Sequence, residues 1–356
     1  MDISPLLHLA MSKGASDLHL VAASPPLFRI NGVLGPVDDM QPLTPDDIAQ
    51  AFNQITSDKE RADFNRCLEL DFGYTIPGVG RFRCNAAKQC GTISLVIRLL
   101  PLVVPTLDEL ELPEICKELV LKRRGLVVVS GPTGSGKSTT LAAMINHLNS
   151  VESRRVVTIE DPIEYVYSNL NCTITQRELG NDTLSFAEAL KRVLRQDPDV
   201  ILVGEMRDLE TAAAVLTIAE TGHLVLTTGH APSAPQAIER IVDLFPPHER
   251  HLAQSQLASL LLAVLCQTLI PRADSPGRIA AVEVMLASPA VRNLIRDSKI
   301  YQLPNTIRMQ TQLGMALLDQ ALVNLYRKGI ISSENLFAFC NDGDEVAQLC
   351  GKVEVE

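Results

Sequence analysis

With 356 residues and 46% hydrophobic content, the chain is long enough for two or three domains with substantial cores. A formal net charge of −10 argues against a general nucleic-acid binder, which needs a basic surface to neutralise phosphate, and leaves only a local basic groove open. The eight cysteines include no C-x-x-C pair, so neither a zinc ribbon nor a redox motif is indicated and reduced thiols are expected.

Residues 1–100 read as a small mixed α+β domain. The start, with Asp2, Ser4, Pro5 and His8, lacks the charged and apolar regions of a signal peptide. A first helix is predicted from Ile3 to Ser12, then strands at Asp17–Leu20 and Leu27–Ile30, with Asn31-Gly32 marking a hairpin. Thr44-Pro45-Asp46-Asp47 and Ser57-Asp58-Lys59-Glu60 each carry a helix-start signature. Alternating strands follow at Leu70–Tyr74, Gly80–Ala86 and Ile93–Leu99. They carry Arg81, Arg83 and Arg98, which on pattern alone are charges on a solvated sheet face. Pro101, Pro105 and Pro113, interspersed with Asp108, Glu109 and Glu111, mark a linker over 101–113.

The segment 114–285 alternates strands and helices, as a parallel sheet with helices on its faces requires. Leu126-Val127-Val128-Val129-Ser130 is an apolar strand, and Leu141 onward has helical spacing. Between them Gly131, Gly136, Lys137 and Ser138 satisfy G-x-x-x-x-G-K-[ST], a loop whose glycines let backbone N–H groups converge on phosphate while the lysine reaches the terminal phosphates. Ser138 is the candidate magnesium ligand. Three further clusters follow predicted strands or flank one, where functional residues of such sheets gather. They are Glu160-Asp161-Pro162-Ile163-Glu164, Glu205 preceded by Gly204 where many P-loop proteins have Asp, and Thr221-Gly222-His223 with His230. The apolar run Leu257–Ile270, interrupted by Ser259, Gln267 and Thr268, is too short for a transmembrane segment and is expected to be a buried helix. Residues 286–356 read as mainly helical.

Taken together, Gly131–Thr140, Thr158–Tyr165, Arg195–Asp208 and Thr221–His223 resemble the Walker A, Asp-box, Walker B and His-box segments of the secretion ATPase superfamily. Ala15–Leu20, Arg81–Asn85 and Ala290–Asp297 are similar to its pilus-retraction (twitching motility) members, so the resemblance covers nearly the whole chain. It implies a smaller N-terminal PAS-like domain, a RecA-like P-loop domain over 114–285 and a helical C-terminal region. It also implies a cytoplasmic homo-hexamer that binds ATP and Mg2+ between subunits and works at the inner face of the cell membrane against a pilus platform protein. Glu164 becomes the catalytic base, Glu205 the Walker B acid that joins Ser138 at magnesium, and His223 and His230 the His box. Thr133, Gly134, Ser135 and Thr139 join the phosphate loop, and Arg83 and Arg98 reach the nucleotide from the first domain. Gly229 stands where the family usually has leucine, and Val291 and Asp297 replace its Ile and Glu. A PilU-like accessory retraction ATPase or another type II/IV secretion motor is the nearest alternative. A small-molecule phosphotransferase lacks an acceptor-site signature, and a nucleic-acid translocase should be basic.

Overall fold

The computed structural model describes residues 1–30, 32–100 and 103–351, so Asn31 of the expected turn and Pro101 of the expected linker lie outside the described residues. The described chain forms two compact units. One is Met1–Val103 together with Pro162–Val166; the other is Val104–Asp161 with Tyr167 onward.

The first unit is a six-stranded antiparallel sheet with three helices. In chain order it runs α1 (Ser4–Ser12), β1 (Asp17–Leu20), β2 (Leu27–Ile30), β3 (Val33–Pro36), α2 (Pro45–Ile55), α3 (Asp58–Cys67), β4 (Glu69–Ile76), β5 (Gly80–Gln89) and β6 (Thr92–Leu99). The sheet order is β3-β2-β1-β6-β5-β4. Both expected helix starts form reciprocal caps: Thr44 Oγ1 accepts from Asp47 N–H while the Asp47 carboxylate accepts from Thr44 N–H, and Ser57 and Glu60 repeat the arrangement. Each such cap contributes about 1 kcal/mol. Period-2 alternation on β5 buries Phe82, Cys84 and Ala86 against the helices and turns Arg83 outward.

The second unit is built on a seven-stranded sheet of order β13-β12-β7-β11-β10-β8-β9. Its elements are α4 (Ile115–Val120), β7 (Gly125–Ser130), α5 (Lys137–Val151), β8 (Arg155–Glu160), β9 (Thr173–Glu178), α6 (Phe186–Val193), β10 (Val200–Val203), α7 (Leu209–Glu220), β11 (Leu224–Thr228), α8 (Ala234–Asp243), α9 (Arg250–Leu260), β12 (Leu261–Pro271) and β13 (Arg278–Leu286). All strand pairs are parallel except β12 with β13. On β7, Leu126 and Val128 face one buried layer and Val127 and Val129 the other, which is why the strand is apolar throughout. Helices α10 (Pro289–Arg296), α11 (Leu303–Met309), α12 (Leu318–Arg327), α13 (Ser333–Phe339) and α14 (Gly343–Gly351) follow among the described residues, as expected for a helical C-terminal region.

The run Leu257–Ile270 is not one buried helix. It divides at Leu260, where α9 gives way to β12, a strand held between β7 and β13. A strand covered on both sides needs the same unbroken apolar run as a buried helix, so no periodicity distinguishes them. Within the expected linker the Glu109 carboxylate caps Thr106, and Leu107 is buried in the core of the second unit. Among the described residues, no helix is long and apolar enough to cross a membrane.

Candidate functional site

Strand β7 lies inside the parallel part of the sheet, and the loop at its carboxyl end, 131–136, leads directly into α5. Gly131, Gly134 and Gly136 all have positive φ (142°, 79° and 88°), a conformation that a side chain disfavours. The first amides of α5 have no intrahelical partner, and the helix adds partial positive charge at that end. Lys137, 8% exposed, folds its Nζ over the loop and donates to the carbonyls of Gly131 and Pro132, both at 2.9 Å. Thr133 and Gly134 are exposed, Ser138 and Thr139 half-buried. Ser135 is buried, and its Oγ has no hydrogen-bond partner among the described residues. The loop thus joins the uncapped amides of a helix start to a cation beside them, which suits an anionic polyphosphate.

The neighbouring strand ends bring acids to the same edge of the sheet. At the end of β8, Glu160 Oε1 accepts from Thr158 Oγ1 at 2.6 Å and from Gln176 Nε2 at 3.2 Å. After β10, a Cβ at Gly204 would stand 3.2 Å from the Ile159 carbonyl oxygen and 3.3 Å from Glu160 Cα, so an aspartate there would crowd β8. Glu205 follows, largely buried and 2.7 Å from Arg207 Nε. Burial pushes its carboxyl above the usual range, Arg207 pulls the other way, and Asp161 adds to the rise. Because the carboxylate form prevails only above its pKa, Arg207→Ala is expected to move the acid limb of the kcat/KM profile to higher pH. An unmoved limb in that variant sinks the role of Glu205.

His230 follows β11 and lines a cavity of about 490 Å³ with Met206, Arg207, Gly229, Arg240 and Asp243. Ser130, the last residue of β7, fixes its loop: the hydroxyl donates to the Ala231 carbonyl at 2.7 Å and accepts from the Ala231 N–H at 2.9 Å. A Cβ at Gly229 would lie 3.0 Å from that same hydroxyl oxygen, so glycine leaves the pin undisturbed. Burial holds the His230 imidazole below its ordinary pKa, reinforced by Lys137, Arg207 and Arg240. It is therefore neutral near pH 7, able to accept a hydrogen bond. His223 is placed differently. It precedes β11, its backbone carbonyl accepts from Gly125 N–H at the start of β7, and its Nδ1 lies 3.0 Å from Thr221 Oγ1. In a parallel sheet this is the end opposite the 131–136 loop, so His223 and His230 do not share a site within one chain.

In the first unit a charged row crosses four strands in register, Arg29–Asp17–Arg98–Arg83. Asp17 is 5% exposed and accepts from Arg98 Nε at 2.9 Å, with Arg29 at 4.0 Å. Burial raises its carboxyl, but the hydrogen bonds from Arg98 and Ser16 outweigh that and hold it below the usual range. Arg83 faces Arg98 directly, a like-charged cross-strand pair, and both are exposed. Arg83 and Arg98 thus lie on a solvated face in the isolated chain, whereas Arg81, expected there too, is half-buried and donates to Thr75 Oγ1, and one carboxylate among three arginines leaves the row cationic. Glu164 is half-buried in the segment Pro162–Val166, between buried Ile163 and Tyr165, and the Ile163 carbonyl accepts from Arg81 Nε at 3.4 Å.

The family model for type II/IV secretion system proteins matches residues 2–295. The chain belongs to that family. It is 48% identical over 335 residues to the type IV pilus retraction ATPase PilT of Pseudomonas aeruginosa, covering 94% of this chain and 97% of that protein. It is 41% identical over 346 residues to the type IV pilus ATPase PilU of the same organism, covering 97% and 90%. The crystal structure of the pilus retraction motor PilT with bound ADP superimposes with a TM-score of 0.91 at 40% identity, covering 98% of this chain and 99% of that one. The secretion-ATPase fold expected from the motifs is the fold of this chain.

This family member also places residues beside the 131–136 loop that its motifs do not mark. A second cavity, of about 400 Å³, is bounded by Gly136 and Thr139 from the loop and α5, Glu109 from the segment before α4, Gln267 and Leu269 from β12, and Arg278 from β13. The only trace of it in the sequence is the polar interruption of an apolar run at Gln267.

Proposed function

We propose that this chain is the subunit of a homo-hexameric motor that hydrolyses ATP to retract a type IV pilus, acting at the cytoplasmic face of the inner membrane on a pilus platform protein. The observation that carries the reading is the correspondence over nearly the full chain with a retraction motor that binds ADP, joined to a glycine loop, lysine and acids at one sheet edge. The higher identity to PilT (48%) than to PilU (41%) favours the motor over the accessory form.

In this reading the amides of 131–139 and Lys137 bind the phosphates. Ser138 and Glu205 would hold Mg2+; both are hard oxygen donors, and two protein ligands suit an ion whose shell is completed by phosphate and water. The ion supplies charge neutralisation on the phosphates. Glu164 takes a proton from the attacking water, and neutral His230 accepts a hydrogen bond close to the transferred group. Arg83 and Arg98 serve the nucleotide of another subunit, and His223, at the far end of the sheet from its own loop, belongs to the same intersubunit set.

Purified protein is expected to hydrolyse ATP with neither nucleic acid nor a small-molecule acceptor present, and host cells without it should extend pili that fail to retract. Activity that requires an acceptor, or normal retraction in the deletion strain, overturns the proposal. Glu164→Gln is expected to bind ATP with near-normal affinity while turnover falls by about 10²-fold or more, since the amide cannot take a proton. Loss of ATP binding in that variant would make Glu164 structural.

A further inference from the structure

Gln267 on β12 is 2% exposed and both ends of its side-chain amide are used. Nε2 donates to the Ser135 carbonyl at 2.6 Å, and Oε1 accepts from Thr140 Oγ1 at 2.9 Å. A backbone carbonyl can only accept, so the amide has one possible orientation. Two glycines of the loop are packed against the same residue: a Cβ at Gly131 would lie 2.4 Å from the Gln267 carbonyl oxygen, and one at Gly136 would lie 3.0 Å from Nε2. The loop therefore rests on β12 at one residue, through two glycine contacts and one hydrogen bond.

In a planar trans peptide the C=O and the following N–H point to opposite sides. Turning the Ser135 carbonyl toward Gln267 thus turns the Gly136 N–H away from β12. Gly136 is the N-cap of α5 with φ 88°, so its amide has no intrahelical acceptor and belongs to the run of N–H groups that a G-x-x-x-x-G-K loop presents to phosphate. Glycine also leaves that peptide little resistance to rotation, so something outside the loop must choose its orientation. We propose that Gln267 is a positioning residue for nucleotide binding, which fixes the Ser135–Gly136 peptide so that the Gly136 N–H faces the phosphates before ATP arrives, with Thr140 orienting the amide. This rests on the 131–136 loop being the nucleotide site.

The test uses the full-length protein and the variants Gln267→Met, close in volume but unable to donate, and Thr140→Val. Binding of a fluorescent ADP analogue and steady-state ATP hydrolysis are measured, with thermal unfolding as a control. Gln267→Met is expected to raise Kd for ADP and KM for ATP about tenfold, the order expected for losing one buried hydrogen bond, while kcat falls by less than KM rises. Thr140→Val should give a smaller rise, and the double variant should be no worse than Gln267→Met, because Thr140 acts only through the amide. Unchanged Kd and KM in Gln267→Met overturn the proposal, as does an equal fall in kcat with KM unmoved, or a double variant whose effects multiply. If Gln267→Met does not fold, Thr140→Val decides alone, and an unmoved KM overturns it. A wild-type protein that binds neither ATP nor ADP overturns the nucleotide site itself, a result distinguishable from all of these.

Discussion

Lys137→Ala is expected to lower ATP turnover by on the order of 10²–10³-fold or more, the scale seen when a preorganised donor to a developing charge is removed. In the wild-type chain Nζ is held at 2.9 Å from two loop carbonyls, 8% exposed, so its charge is already desolvated and aimed across the loop before nucleotide binds. Alanine at that position, the first residue of α5, leaves the helix intact, so the loss is electrostatic and the fold should persist. A second readout separates this from general damage. Lys137 is one of the cations that, after burial, hold the His230 imidazole below its ordinary pKa, so its removal should move the His230 titration to higher pH. Wild-type turnover in the variant, or an unmoved His230 titration in a folded variant, would falsify the placement of the lysine.

The sequence reveals those parts of this site that obey a local rule. Gly131, Gly136, Lys137 and Ser138 are close in the chain because one loop and one helix start make the phosphate cradle, so a short motif carries them. The caps at Thr44 and Ser57 were legible for the same reason, since each bond spans three residues. Gln267 was not, because its partners Ser135 and Thr140 are 132 and 127 residues away and nothing local demands a glutamine. Nor was Ser130, whose hydroxyl holds a loop 101 residues downstream. The boundary at Leu260 was hidden for a different reason: a strand covered on both sides and a buried helix are apolar in the same way. His223 shows the opposite limit. Its motif is plain in the sequence, but the parallel register of β11 is what places it at the other end of the sheet from the loop.

If the chain works as the proposed ring, its nucleotide sites should be shared between neighbouring subunits. Arg83 and Arg98 lie in a compact unit separate from the one that holds the 131–136 loop, on adjacent strands, facing each other and exposed. Two like charges in register are unfavourable in isolation. Asp17 relieves only Arg98, by taking its Nε at 2.9 Å, and the Arg98 side chain is still 61% exposed. A cationic row kept at this cost fits an anion brought by another copy of the chain, as an arginine finger in trans requires. In the proposed ring, closed by head-to-tail interfaces, each site would then combine the loop of one subunit with the arginines of its neighbour. Lys137→Ala and Arg98→Ala proteins should each be inactive alone. Mixed in equal amounts, about one quarter of interfaces should pair an intact loop with an intact arginine by random assembly, and activity should recover to no more than that fraction of wild type. Dilution that dissociates wild-type rings should abolish specific activity. Mixed rings verified by native mass spectrometry that regain nothing, together with monomers as active as rings, would show that each chain completes its own site.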